Sequence, residues 1–481
     1  MKTIFEPAKP FFKLLGQQKI KAGVSYRLMN FVVQAAVDDG LLLLHNMTKE
    51  MVLLTKEEQQ VFEQNPADLP ELISRWYLVP TDYDDCKLSQ QYSHVARIME
   101  VPKKNIRGYT IMTTSDCNAR CFYCYELGQA RRPMTEETAN QVADYIIKHC
   151  GGEPVSIEWF GGEPLFNKPV ISLIVKRLKE ADIKFNSTMI SNGYLLDAET
   201  VKEAHDEWHL NNVQITIDGT EQTYNRVKAY IYKGVNAYER VMENIGHLIK
   251  AGIGVQIRMN IDKHNAEDLE QVAEELHDRF GESPNLMAYL HLLFLDEKKR
   301  SGAWDEEIRK KLVARMSEIQ EKLMAWGMFR HHHYDHTIRT NNCMADNDNS
   351  VVIQPDGYIT KCEHYTDSQH VGHISSDEFD AQKIAYFKEK GTILQEFCRQ
   401  CVTYPTCTFL KACPNGEECY PEMPAMFRAE MQQEIKELYK DFLKHEQEEA
   451  EKKAKEAAEG TGEGKEQQAV DSSKTEERRE A

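Results

Sequence analysis

The chain has 481 residues and a net charge of −18, long enough for about two to four domains around a large core. Its Lys and Arg residues form no basic stripe and no apolar run reaches membrane-spanning length, so neither nucleic acid nor a membrane is the expected partner. Twelve cysteines with no export signal predict a reducing, cytoplasmic setting and metal binding, not a disulfide framework.

Residues 1–100 open with the apolar segments YRLMNFVVQAA, GLLLLHNM and EMVLLT. Short helical stretches follow over Lys56–Gln64 and Leu69–Trp76, then YLVP. Three strands and two or three helices predict a small winged-helix-like α+β module, with Asp38-Asp39-Gly40 as a hairpin turn. Residues 105–329 change to regular alternation. The strand candidates are YTIMTT, VSIEWF, STMISN, VQITID, VQIRMN and LMAYLHLLFL. Amphipathic helices are predicted over Glu136–Lys148, Pro169–Ala181, Ala198–Trp208, Tyr238–Ala251, Glu267–Phe280 and Glu306–Trp326. Strands joined by crossover helices require a parallel sheet. Six such units make an α/β fold of the partial (β/α)6, TIM-like barrel type. Residues 330–425 carry seven of the cysteines with little periodicity, so metal clusters are expected to organise them. A helix is predicted over 426–444. The charged tail 445–481 has almost no large apolar residue and is expected to be disordered.

The run CNARCFYCYE places Cys117, Cys121 and Cys124 in a C-x3-C-x2-C spacing. A four-iron cubane needs four outside ligands, so three thiolates leave one iron open to a substrate or cosubstrate. A zinc knuckle would call for a second paired half or histidines, which this loop lacks. The spacing, with Tyr123 before the last thiol, resembles the radical S-adenosylmethionine (radical SAM) superfamily, in which the open iron chelates SAM. Chemistry in parallel barrels sits at the C-terminal ends of strands, and this loop follows the first strand candidate.

The later strand ends extend the resemblance. Gly161-Gly162-Glu163-Pro164 resembles the superfamily's GGE motif, where glycine backbone lines the SAM amino group and Glu163 balances its charge. Ser191-Asn192-Gly193, Thr216-Ile217-Asp218-Gly219 and Arg258-Met259-Asn260 resemble the strand ends of its peptide-modifying branch. The resemblance implies SAM contacts from Tyr123, Gly161, Gly162, Glu163, Ser191, Asn192, Thr216 and Asn260. Any one of these motifs alone reads as an ordinary turn.

The remaining cysteines fit a second pattern. Cys343 is followed by Gly357 and Cys362, then by Cys398, Cys401, Cys407, Cys413 and a last Cys419. This resembles the SPASM extension, which holds two auxiliary iron–sulfur clusters. The departure is a five-residue gap between Cys407 and Cys413 where the family has three. The resemblance implies that Cys398, Cys401, Cys407 and Cys419 hold the outer cluster and Cys343, Cys362 and Cys413 the inner one. The inner cluster is then one thiolate short, and Thr337 stands where some relatives carry a cysteine. An open iron, His336 or Asp335, or a substrate thiolate would complete it. Paired zinc ribbons are the competing interpretation, but only Cys398 and Cys401 have C-x2-C spacing. The run His331-His332-His333 is taken as a solvated loop, and Cys86 and Cys150 fit neither cluster.

The resemblance implies reductive cleavage of SAM to methionine and a 5′-deoxyadenosyl radical that abstracts hydrogen from an inert C–H bond. Auxiliary clusters would take up a second electron, which suits an oxidative cross-link, and Glu363 beside Cys362 is the expected base. The front module resembles the element that binds precursor-peptide leaders by adding a strand. The expected partners are a leader-bearing precursor peptide and a reductant such as flavodoxin or ferredoxin. A thioether or carbon–carbon cross-linking maturase is the leading interpretation. An anaerobic sulfatase maturase forming formylglycine is the alternative, and an iron–sulfur electron carrier or scaffold is the non-enzymatic one.

Overall fold

The computed structural model describes residues 1–7, 16–99, 105–281, 283–293, 306–329, 343–364, 369–389, 395–407 and 419–476. The front region builds strands β1 (Lys2–Phe5), β2 (Tyr26–Leu28), β3 (Val32–Val37), β4 (Gly40–His45), β5 (Glu50–Thr55) and β6 (Leu78–Pro80). Four of them pair antiparallel in the order β1-β5-β4-β3, while β2 pairs with β6. The sheet therefore has one strand more than the three expected, supplied by Lys2–Phe5. The segment YRLMNFVVQAA also splits in two, because the chain turns where the Asn30 amide donates to the Asp85 carboxylate at 2.7 Å. Helices α1 (Lys56–Gln64), α2 (Pro70–Ser74) and α3 (Asp85–Met99) follow. A reciprocal capping box between Thr55 and Glu58 starts α1.

Every residue of β4 is buried, which explains its continuous apolar run. One face of the sheet, with Leu43, Val52 and Leu54, joins Phe62, Leu72 and Tyr77 in a core. The other, with Leu42, Leu44 and Leu53, joins Ile435 and Tyr439 of the C-terminal helix (Met423–Glu476). That helix runs past the 444 expected for it, to Glu476, where a disordered tail was predicted. Residues 445–451 are all exposed, so over those residues no packed face supports the helix. Its Glu, Lys, Gln and Ala content favours helix intrinsically.

The central region follows the predicted alternation: β7 (Gly108–Met112), α4 (Glu136–His149), β8 (Val155–Phe160), α5 (Lys168–Glu180), β9 (Phe185–Ser191), α6 (Ala198–Asp206) and β10 (Leu210–Thr216). It continues with α7 (Glu221–Lys228), α8 (Ala237–Lys250), β11 (Gly254–Ile261), α9 (Asp268–Phe280), β12 (Leu286–Leu292) and α10 (Glu306–Ala325). Strands β7 to β12 pair in parallel, in sequence order. Only α7 has no predicted counterpart. Alternation along β8 buries Ile157 and Trp159 in the main core and turns Glu158 to the opposite face.

The cysteine-rich region extends the same sheet. Strand β13 (Ser350–Ile353) runs parallel beside β7, and β14 (Tyr358–Thr360) and β15 (Gly372–His373) follow antiparallel. Its later segment packs on the front module. Tyr404 stacks on Phe31 with ring centroids 5.6 Å apart, its hydroxyl accepts from Gln90, and the Val402 carbonyl accepts from buried Asn46 at 2.8 Å. Cys398 and Cys401 belong to the front module's apolar core. Tyr404→Ala is therefore expected to cost about 3–5 kcal/mol and to lower the thermal unfolding midpoint of the front module, measured by calorimetry.

Candidate active site

The cysteine loop leaves β7 and is stitched down by backbone contacts. Gly162 donates to the Thr114 carbonyl at 2.9 Å and Glu163 to the Asp116 carbonyl at 3.0 Å. Gly161 has φ +131°, and a Cβ there would lie 2.2 Å from the Thr114 oxygen; one on Gly162 would lie 2.3 Å from the Asp116 oxygen. Only glycine lets the β8 turn come this close to the thiol loop.

Cys117, Cys121 and Cys124 are brought together. Burial raises all three thiols, Cys117 to about 12 and Cys124 to about 11, and each feels the charge of nearby groups. Glu163 is fully buried and accepts hydrogen bonds from Ser191 Oγ at 2.9 Å and the Asn192 amide at 2.8 Å. Burial still lifts its carboxyl to about 7, against those hydrogen bonds. Asn192 Nδ2 donates to Asn118 Oδ1 at 2.6 Å, joining the β9 end to the thiol loop.

A second knot lies on the other side of the loop. The Tyr123 hydroxyl donates to Asp218 at 2.5 Å and accepts from Lys228 at 2.9 Å, while Lys228 pairs with Asp218 at 2.9 Å. Asn260 Nδ2 donates to the other Asp218 oxygen at 3.0 Å. Burial alone would lower the Lys228 ammonium, but Asp218 together with Tyr123, Cys121 and Tyr224 outweighs it and holds the group charged. Lys228 ends α7, a short polar helix whose pattern does not mark it as buried. Thr216 ends β10, half-buried, beside Arg258.

The sheet face opposite Ile157 and Trp159 holds a further carboxyl that the sequence pattern does not mark. Glu158 accepts from Thr110 at 3.3 Å, and burial followed by the nearby Glu363 pushes it up to about 7. Glu363 is half-buried after Cys362. His364 stacks on Tyr125, ring centroids 4.3 Å apart, so this segment touches the thiol loop. The outer thiols also converge: burial and then Cys407, Cys401 and Cys398 raise Cys419 to about 12. Cys343 is exposed and accepts from the Ala345 amide. Cys413, His331–His333, Asp335, His336 and Thr337 lie outside the described residues.

Among the described residues no three Cys, His, Asp or Glu side chains converge as a single-ion site requires. Cys117 and Cys124 each feel the charge of Cys121, so the three thiols share one neighbourhood. Three buried polar atoms on this loop have no hydrogen-bond partner: Asn118 Nδ2, Tyr125 Oη and Glu126 Oε1. Together with a buried anion, Glu163, and a buried cation, Lys228, they fit a zwitterionic group such as the amino-acid end of SAM.

Residues 111–276 match the Radical SAM superfamily, and the chain carries a radical SAM domain. Among curated proteins it is similar to the sporulation killing factor maturation protein SkfB of Bacillus subtilis (strain 168), 25% identical over 283 residues. That alignment covers 56% of this chain and 62% of SkfB, so the chain spans less than two thirds of that relative. It is also 25% identical over 184 residues to Fe-coproporphyrin III synthase of Methanosarcina barkeri (strain Fusaro / DSM 804), covering 38% of this chain and 43% of that one. Among solved structures, native anSMEcpe with bound AdoMet has the same fold, with a TM-score of 0.55 at 15% identity over 69% of this chain and 99% of that one. No helix among the described residues is long and apolar enough to cross a membrane.

If Glu163 pairs with the SAM ammonium, it must be ionised. Its carboxyl lies near 7, so SAM affinity is expected to hold above that pH and to fall as the pH drops through it. Glu163→Gln should cost about 1.5–3 kcal/mol of SAM binding and flatten the pH profile, with the iron–sulfur absorbance unchanged. Equilibrium dialysis across pH 6–8 checks both.

Proposed function

We propose that this chain is a radical SAM peptide maturase, which oxidatively installs a thioether or carbon–carbon cross-link in a ribosomally made precursor. The observation that carries it is the thiol loop set between Glu163 and Lys228, together with a front β-module fastened to the cysteine-rich segment. The name of SkfB, a maturation protein, and the anSMEcpe complex with AdoMet and the Cp18Cys peptide support a peptide substrate.

Cys117, Cys121 and Cys124 would hold the cluster that binds SAM. Bound there and reduced, the cluster would supply the one-electron reducing power for radical cleavage of SAM and so the capacity to abstract a substrate hydrogen. Glu163, with Ser191 and Asn192 fixing it, would take the methionyl ammonium, and Lys228 the carboxylate. Gly161 and Gly162 let the backbone approach, and Tyr123 and Asn260 hold Asp218 so that Lys228 keeps its direction. Thr216 would line the ribose side. Cys398, Cys401, Cys407 and Cys419 would hold an outer auxiliary cluster, and Cys343, Cys362 and Cys413 an inner one. These clusters would accept the second electron. Glu363 would remove a proton from the substrate radical, with Glu158 beside it. A flavodoxin- or ferredoxin-type protein would supply the first electron.

The test is co-expression with short precursor genes found beside this one, followed by mass spectrometry of the peptide. A cross-link removes two hydrogens and survives thiol alkylation, whereas formylglycine formation exchanges a thiol for an aldehyde. An unmodified peptide, despite active SAM cleavage, counts against cross-linking. Glu363→Gln is expected to keep SAM cleavage while lowering product yield about 10²-fold or more.

A further inference from the structure

The parallel sheet has two faces. Ile257 and Met259 of β11, with Ala288 and Leu290 of β12, turn into the main apolar core. Alternation sends Arg258, Asn260, Tyr289 and His291 to the other face, the one that carries Glu158. Arg258 and Tyr289 are cross-strand partners there, as are Asn260 and His291.

The Arg258 guanidinium is half-buried, and among the described residues it pairs with no carboxylate. Arg27, Arg75, Arg309 and Arg315 are half-buried too, and each has one: Asp85, Glu50, Glu422 and Glu270. Arg258 has neutral neighbours instead. Its Nε donates to Asn260 Oδ1 at 3.0 Å. The Tyr289 hydroxyl lies beside it, with its own hydrogen given to Gln214 at 2.8 Å. Nη2 lies 3.0 Å from His291 Nδ1. That last contact offers little. His291 Nδ1 is also 2.6 Å from the Leu292 carbonyl oxygen, and burial, then Arg258, lowers the ring to about 4, so it is uncharged at neutral pH. A neutral ring nitrogen either donates or accepts, whereas a guanidinium only donates. The shorter contact calls for the hydrogen on Nδ1, toward Leu292, and leaves Nη2 facing a nitrogen with no lone pair to give. A guanidinium partly withdrawn from water, with an unmatched donor and no countercharge, suits an anion.

Its place narrows the choice. Asn260 takes Arg258 on Oδ1 and donates through Nδ2 to Asp218, the partner of Lys228 and Tyr123. Arg258 therefore stands two residues, about 7 Å, from that knot along β11, farther from the strand ends that carry the thiol loop. Lys228 is the cation proposed for the SAM carboxylate, which leaves Arg258 for a second acid group. We infer that Arg258 is a specificity-determining residue that holds a carboxylate of the substrate, bidentate through Nη1 and Nη2, and so fixes which substrate atom lies under the thiol loop. An acidic side chain and a free C-terminus present the same planar pair of oxygens. That the carboxylate belongs to a peptide rests on the function proposed above.

The test uses the full chain, cluster-reconstituted and saturated with SAM but not reduced, titrated with small probes by saturation-transfer NMR. Nα-acetyl-aspartate N-methylamide offers a side-chain carboxylate, Nα-acetyl-alanine a terminal one, and Nα-acetyl-asparagine N-methylamide the neutral isostere. Saturable binding of an acid is expected, about tenfold or more tighter than the neutral amide and weakened by salt. The tighter acid identifies the source. Arg258→Gln should bring that acid down to the level of the neutral amide without moving SAM affinity, measured by equilibrium dialysis, and Arg258→Lys should keep part of the preference. Equal binding of acids and amide by the unsubstituted protein overturns the inference with no variant needed. So does saturable binding of none of the probes, or undiminished acid binding in Arg258→Gln. A loss of SAM affinity of about tenfold in that variant assigns Arg258 to the cosubstrate and overturns it as well. No turnover is involved, so a failure of cross-linking leaves the carboxylate site standing, and a failure here leaves SAM cleavage untouched.

Discussion

The C-terminal end of the parallel sheet depends on one buried ion pair, Lys228–Asp218, whose side chains are 4% and 2% exposed. Two charges taken this far from water persist only when their remaining donors and acceptors are satisfied. Here Asp218 also takes the Tyr123 hydroxyl and the Asn260 amide, the Lys228 ammonium also donates to the Tyr123 hydroxyl at 2.9 Å, and the Lys228 carbonyl accepts from the Arg120 amide at 2.8 Å. These contacts end on the thiol loop, through Tyr123 and Arg120, and on β11, through Asn260. The pair thus fastens the thiol loop to β10, β11 and α7, and losing one member costs about 3–5 kcal/mol. On the opposite side of the loop, Glu163 binds the β8 turn to the end of β9 through Ser191 and Asn192. A buried cation and a buried carboxyl therefore flank three thiols in a loop that has little apolar core of its own.

The rest of the molecule extends outward from that loop. Tyr125 stacks on His364, so the segment after Cys362 sits against the thiols through β14 and β13, which continue the barrel sheet beyond β7. Farther along, Tyr404 and Val402 lock the Cys398–Cys407 stretch to the front module. The front sheet and the outer thiols Cys398 and Cys401 therefore share a core. This continuity links the peptide-binding and electron-accepting roles expected of the two regions.

The barrel strands were legible because period-2 and period-3.6 patterns alternate cleanly from Gly108 onward, and the thiol spacing is local. Glu163, Ser191 and Asn192 were legible too, since each ends a strand that its own pattern marks. What stayed hidden depends on long-range geometry. Lys228 looks like a surface lysine on a polar eight-residue stretch, and only the fold buries it beside Asp218. Glu158 occupies an ordinary polar position in an alternating strand, and its raised carboxyl comes from burial and from Glu363, 205 residues away in sequence. The strand Lys2–Phe5 is too short to announce itself, and its partner lies across the module. For the tail, composition weighs against a packed core without weighing against an isolated helix.

The central claim is that the thiol loop and its flanking charges serve SAM cleavage. The most direct measurement is the formation of 5′-deoxyadenosine and methionine from SAM by anaerobically reconstituted protein under dithionite. The account predicts the two products in equal amounts, with loss of both in Cys121→Ala and strong reduction in Lys228→Met. Full cluster incorporation without either product would contradict it.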